Sequence, residues 1–146
     1  SSREAVPAMW AATLDALGGP PSDVICCHGI GRHGAVDAVS MDDFDESFST
    51  NVRSVFEILQ TAVPHMKAAD AGKFIVVSSV LGRGCAAERA LYCGTKFAIE
   101  GIIGAARKDL QGTGVKCSTV CPVGIDTPWW DRPLYPANVV APPKPD

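Results

Sequence analysis

Three side chains near the middle of the sequence have the types and spacing needed to move a proton: Ser79, Tyr92 and Lys96. They lie in the stretch VVSSVLGRGCAAERALYCGTK, where a β-type apolar run leads into a helix carrying Tyr92 and Lys96. Positions four apart on a helix share a face and stand about 6 Å apart along its axis. A phenol beside an ammonium is a proton-transfer pair. The tyrosine pKa of about 10 is expected to fall by about 1–3 units next to the positive charge. That brings it towards the range of a general acid/base at neutral pH. Ser79, at the end of the strand, is placed to hydrogen-bond the oxygen that gains or loses the proton. Tyr-x-x-x-Lys alone also describes an ordinary pair of surface side chains, so the surrounding elements decide between the two readings.

The chain of 146 residues fits one domain with a real core. Its 47% hydrophobic and 20% charged residues describe a globular protein. A net charge of −3 without any Lys/Arg cluster gives no footprint for nucleic acid. No apolar run is long enough to span a bilayer and no signal-peptide pattern is visible, so no membrane partner and a cytoplasmic setting are expected. Cysteines at 26, 27, 85, 93, 117 and 121 form no CxxC and no paired zinc spacing. Cys26, Cys27, Cys117 and Cys121 sit in or beside strand-like runs, where reduced thiols behave as small hydrophobes. Cys26-Cys27-His28 lacks the further ligands that a tetrahedral metal site needs, and no metal is expected.

The elements that must position these residues follow from periodicity. Residues 3–17 carry Val6, Met9, Trp10, Leu14 and Leu17 at helical spacing, and Gly18-Gly19-Pro20-Pro21 stops that helix. Asp23 to Cys27 reads as a short buried strand, and Gly29 to Gly34 as a loop. Ser40-x-x-Asp43 resembles a capping box opening a long helix with the stripe Phe44, Phe48, Val52, Val55, Phe56, Leu59 and Val63. Pro64 is expected to kink that helix or end its regular part, with Gly72 as the latest break. Lys73 to Ser78 is a second strand, Ala90 to Leu110 a helix ending near Gly112-x-Gly114, and Val115 to Cys121 a third strand. The order α-β-α-β-α-β with continuously apolar strands predicts a parallel sheet covered on both faces. Seven of the eleven prolines lie at or after 122. The stretch from there reads as a substrate-covering loop or a poorly ordered end.

Gly29-Ile30-Gly31-Arg32-His33-Gly34 matches G-x-G-x-x-G after a strand, but the dinucleotide fingerprint also needs a helix starting inside the glycine loop. Here the helix starts near Ser40, and Asp42, Asp43, Asp45 and Glu46 suit its first turns for dipole reasons alone. The glycines read as a flexible loop at a strand's carboxyl end.

Taken together, the motifs resemble the short-chain dehydrogenase/reductase family of nicotinamide-dependent enzymes, through nearly the whole chain to about Thr127. Asn51 in STNVRSVF stands where the family has its active-site asparagine. Ser79 in VVSSVLG, with Tyr92 and Lys96 in LYCGTK, matches the rest of the catalytic tetrad. PVGIDT, Pro122 to Thr127, resembles the Pro-Gly stretch on the nicotinamide side of the cofactor, and Cys26-Cys27-His28-Gly29 takes the place of the Asn-Asn-Ala-Gly motif. The resemblance implies a Rossmann-like three-layer α/β/α parallel sheet, partial, with about three strands and flanking helices. It would span residues 1–127, with a Pro-rich, substrate-loop-like tail over 128–146.

The resemblance further implies hydride transfer between NAD or NADP and a small alcohol or carbonyl substrate. Tyr92 would be the acid/base. Lys96 would lower its pKa and hold the nicotinamide ribose. Ser79 would orient the substrate oxygen, and Asn51 would support a water chain from Lys96 to solvent. Cofactor contacts would come from Gly29, Tyr92, Lys96, Pro122, Ile125 and Thr127. The long helices would serve a homo-oligomer, as the corresponding helices do in the family.

Three departures stand out. Cys26-Cys27 lacks the amide hydrogen bonds of the Asn-Asn pair. Val123 replaces the glycine after the proline, with a glycine one place later. The Gly-rich phosphate loop, the first strand with its NAD/NADP-selecting residue, and the last strand have no counterpart in these residues. The chain is therefore expected to be a truncated form or fragment of a larger enzyme that does not turn over alone, with an uncovered edge at the Val24–Ile25 strand. The alternative is a non-catalytic relic serving as an interaction module. A methyltransferase of related fold is poorly supported, since nothing resembles its cofactor loop. Trp129, Trp130, Leu134 and Tyr135 suggest an apolar substrate lining or simple packing.

Overall fold

The computed structural model describes residues 5–131. The proposed lining residues Leu134 and Tyr135, and most of the Pro-rich tail, lie outside them. Helix α1 spans Ala5–Leu17 and buries Val6 and Trp10. Strand β1 is Asp23–Cys26. Helix α2, Met41–Phe48, is capped by Ser40, whose hydroxyl accepts from the Asp43 amide at 3.1 Å and donates to the Asp43 carboxylate at 2.7 Å. The Ser40–Asp43 capping signal is thus realised, with the carboxylate bonded to the serine hydroxyl. A π-helical turn at Ser49–Arg53 joins α2 to helix α3, Ser54–Ala68. Strand β2 (Gly72–Val77), helix α4 (Ala90–Asp109) and strand β3 (Val115–Val120) complete the order.

Two features of the long helix differ from the sequence expectation. The π turn admits one extra residue per turn, which rotates everything beyond it by about 100°. The buried apolar residues of α3 are therefore Val55, Ile58, Leu59, Ala62 and Met66, while Phe56 of the expected stripe is 48% exposed. Pro64 does not end the helix, which continues to Ala68. Pro64 and Gln60 both lie on the exposed side, so the Gln60 carbonyl that lacks an amide partner is on the solvent side.

All three strands are parallel, in the order β1-β2-β3, with Cys26 opposite Val76 and Val76 opposite Thr119. Both connections are βαβ crossovers to the next strand in the same direction. Right-handed crossovers of that kind put their helices on one face. Cys26, Phe74, Val76, Val115 and Cys117 accordingly join Val55, Leu59, Ile99 and Ile103 in a single core, which also takes in Val6 and Trp10 of α1. Complete burial of Phe74, Ile99 or Ile103 contributes about 1.5–3 kcal/mol each.

The Rossmann-like class, a parallel sheet with flanking helices, is as expected. Cover on both faces is not seen among the described residues, because the second layer needs a reversal of strand order that these three strands do not contain. Ile25 at 59% and Val120 at 52% exposure mark the open face, and β1 is an edge strand here. None of the described helices is long and apolar enough to cross a membrane.

Candidate active site

The carboxyl ends of all three strands open into one cavity of about 360 Å³. Ligand sites in open parallel sheets lie outside the carboxyl ends of the strands. The segment after β1 brings Gly29, the segment after β2 brings Ser79, and the segment after β3 brings Pro122, Ile125 and Thr127. Tyr92 and Lys96 reach it from the first turns of α4. Six residues expected to touch cofactor, together with Ser79, thus line one space. Asn51 stands directly behind it.

Asn51 is buried in the π turn. Its Oδ1 accepts from the Ile30 amide at 2.8 Å, and its Nδ2 donates to the Ile30 carbonyl at 2.8 Å and to Thr95 Oγ1 at 3.2 Å. Thr95 Oγ1 in turn donates to the Tyr92 carbonyl at 2.9 Å. One carboxamide therefore joins the loop after β1 to the helix that carries Tyr92 and Lys96. A cavity floor of bare backbone lies next to it. A Cβ added at Gly29 would stand 3.3 Å from Asn51 Oδ1 and 3.9 Å from Lys96 Nζ.

Lys96 is buried and its Nζ donates to the Val77 carbonyl at 3.1 Å, 5.5 Å from the centre of the Tyr92 ring. Burial lowers its pKa, while Cys121 and Glu100 act in the opposite direction. Tyr92 corrects the sequence expectation. Burial raises its pKa above the ordinary value, opposed by the Ser79 hydroxyl, with a smaller upward push from Cys93. The reason is geometric: the ammonium is spent on the Val77 carbonyl and lies over the ring. Two further rings pack on Tyr92, His33 edge-on at 5.5 Å and Trp129 at 6.1 Å. His33 is 4% exposed, and burial with the nearby Arg89 holds its pKa down at about 4, so it is neutral at pH 7.

The Cys-Cys departure separates by strand alternation. Cys26 enters the core, where burial pushes its thiol up to about 11, whereas Cys27 is exposed at the cavity. The two do not converge as ligands. His28 Nε2 lies 2.7 Å from Ser54 Oγ, which donates to the Thr50 carbonyl at 2.6 Å. Ser54 thus accepts from His28 Nε2–H. Burial and Lys96 lower the His28 pKa. Val123, in place of the glycine after Pro122, is 75% exposed, so its side chain crowds no backbone there.

The family model described as short chain dehydrogenase matches residues 2–133. The chain belongs to the short-chain dehydrogenase/reductase family. Dehydrogenase/reductase SDR family member 6 of Rattus norvegicus is 34% identical over 101 residues, covering 68% of this chain and 41% of that protein. The 2-(R)-hydroxypropyl-CoM dehydrogenase of Xanthobacter autotrophicus is 29% identical over 144 residues, covering 93% and 57%. A short-chain dehydrogenase/reductase from Burkholderia phymatum, solved in complex with NAD, superposes with a TM-score of 0.82 at 26% identity, covering 86% of this chain and 46% of that one. The chain thus spans about half the length of the relatives it matches.

Within this member of the short-chain dehydrogenase/reductase family, sequence reasoning singled out neither His33 nor Arg89 as a site residue, although both line the cavity. A signal existed. Both lie in segments that approach a strand's carboxyl end, and Arg89 precedes Tyr92 by one helical turn.

Proposed function

We propose that this chain carries the proton-transfer half of an NAD- or NADP-dependent oxidoreductase acting on an alcohol/carbonyl pair. The observation that carries this reading is the convergence of Ser79, Tyr92 and Lys96 on one cavity, with Asn51 bonded behind them. The residues present fit the nicotinamide end of such a cofactor. The bare backbone at Gly29 leaves room beside Lys96, and its volume is at the small end of ligand pockets, about 300–1,000 Å³. Lys96 and Tyr92 would hold the ribose, with Gly29, Pro122, Ile125 and Thr127 around the ring. When bound, the cofactor supplies or takes the hydride.

The chain's own side chains do the rest. Tyr92 exchanges the proton with the substrate oxygen, and Ser79 orients that oxygen. The Ser79 hydroxyl favours the phenolate, which offsets part of the burial penalty on Tyr92. Asn51 fixes the loop after β1 and supports the water path from Lys96 to solvent. The alcohol named in the Xanthobacter relative supports an alcohol/carbonyl substrate for this chain as well.

The test is a fusion of this chain behind the Gly-rich βαβ segment of a family member. Carbonyl-dependent oxidation of NADH or NADPH is expected, and Tyr92→Phe should nearly abolish it while cofactor binding persists. Full activity after Tyr92→Phe would remove Tyr92 from the acid/base role. For the chain alone, fluorescence titration should give NADH and NADPH affinities weaker than micromolar, since no pyrophosphate cradle lies among the described residues.

A second reading, an interaction module that pairs with another copy of itself, is favoured by the apolar groove between α3 and α4. Phe56, Val63, Pro64, Ile102 and Ala106 line it. Sedimentation showing a folded monomer at all concentrations would dismiss it.

A further inference from the structure

Glu100 lies one helical turn beyond Lys96 and two beyond Tyr92, on the same face of α4. Its side chain is 16% exposed. Oε2 accepts from Arg83 Nε at 3.3 Å, from Arg83 Nη2 at 3.2 Å and from Thr119 Oγ1 at 3.1 Å. Oε1 accepts from Cys121 Sγ at 3.4 Å. Burial pushes the Glu100 carboxyl up, but Ser78, Cys121, Thr119 and Arg83 together hold its pKa below the ordinary value. These donors come from two segments. Ser78 and Arg83 flank Ser79, and Thr119 and Cys121 lead directly into Pro122–Thr127.

The loop after β2 is built to reach this carboxylate. At Gly82 a Cβ would meet Ser78 Oγ at 2.9 Å, the Lys96 carbonyl at 3.0 Å and Glu100 Cγ at 3.1 Å. Arg83 is 64% exposed, so its ion pair adds little stability. What the arrangement adds is geometry. The strand end carrying Ser79, the strand end leading to the cofactor-side loop, and the helix carrying Tyr92 and Lys96 meet at one anion.

We propose that Glu100 is a positioning residue of the site, clamping the ends of β2 and β3 to α4 and setting a negative charge one helical turn from Lys96. Its consequence for proton transfer rests on the role proposed above for Lys96, but its test does not. The titratable groups around Lys96 are His28 from the loop after β1, Tyr92 and Glu100 on its own helix, and Cys121 from the end of β3. From the π turn it is approached by the uncharged Asn51. Glu100 is the carboxylate of this set, and it favours the Lys96 ammonium against burial.

The experiment follows the Lys96 side-chain NMR signals of the isotope-labelled chain against pH, without cofactor and without turnover. Glu100→Gln is expected to lower the Lys96 midpoint by about one pH unit, and Glu100→Asp to restore most of it. A midpoint shared by the wild type and Glu100→Gln overturns the proposal. Should Glu100→Gln fail to fold, the unaltered chain still decides. Its Lys96 Nζ shift is expected to inflect where Glu100 titrates, below 4.5. A flat Lys96 signal across that range overturns the proposal. Loss of the catalytic reading in the fusion assay would leave this titration untouched, so the two failures are distinguishable.

Discussion

The Asn51 carboxamide and the Ile30 backbone exchange two hydrogen bonds, each 2.8 Å long, in the manner of paired strands. The side chain thereby continues the hydrogen-bonding pattern of the sheet into the loop after β1. Asn51→Ala is expected to cost about 1–3 kcal/mol, because Ile30 loses both partners. Asn51→Asp keeps the acceptor but sets a buried oxygen against the Ile30 carbonyl, so it should cost at least as much as the alanine change. Urea unfolding measures both, and a loss below about 0.5 kcal/mol for Asn51→Ala would contradict this account.

His33 gives the fold a pH dependence. Its pKa in the folded chain, about 4, lies below the ordinary 6.5. The unfolded chain therefore takes up the proton first. Stability that is complete above pH 6.5 is lost as pH falls towards about 4. The loss reaches roughly 3 kcal/mol. His33→Gln should show a visibly flatter profile between pH 7 and pH 4.5 in urea titrations. Parallel profiles would remove His33 as the source.

Two glycines should respond oppositely to alanine. A Cβ at Gly114 would overlap the Asp70 backbone carbonyl, and the Gly114 amide donates to the Asp70 carboxylate at 2.7 Å. Gly114→Ala should therefore cost at least about 2 kcal/mol. Gly101 lies inside α4 with nothing within 4 Å of a new Cβ. Gly101→Ala should stabilise the chain by about 0.5–1 kcal/mol. Thermal unfolding compares the pair, and a destabilised Gly101→Ala would refute the helix argument.

Cysteine alkylation should separate the exposed thiols from the buried ones. Cys27 and Cys85 are exposed, while Cys26, Cys93 and Cys117 are buried. Native-state labelling with iodoacetamide, followed by peptide mass mapping, is expected to modify the first two at least about tenfold faster. Rapid modification of Cys26 would mean that the β1 edge opens readily.

Much of this arrangement was legible in the sequence. Apolar runs bounded by glycine and proline located all three strands within a residue or two, and Ser40 marked its helix start. Text and spacing singled out Ser79, Tyr92, Lys96 and Asn51, and the structure sets the first three on one cavity with Asn51 bonded behind it. Two features escaped because they depend on tertiary context. The π turn that buries Asn51 has no periodic signature, so the outward position of Phe56 could not be foreseen. The direction of the Tyr92 shift depends on where Lys96 points. Spacing on a helix places that ammonium near the phenol but does not choose between phenol and Val77 carbonyl. Glu100 was overlooked because a carboxylate in an amphipathic helix reads as solvated.

The level alignment of the three strands sets a tolerance for the whole site. With Cys26, Val76 and Thr119 abreast, the segments that follow leave the sheet as from the rim of a single step. A slip of β3 by one residue would displace the Pro122 segment by about 3.3 Å and turn Cys117 from the core towards the open face. Insertions within a strand are therefore costly to both core and cavity, whereas the exposed stretch at residues 35–38 has room to vary in length. Sequence drift in this chain should be absorbed there, beyond the rim.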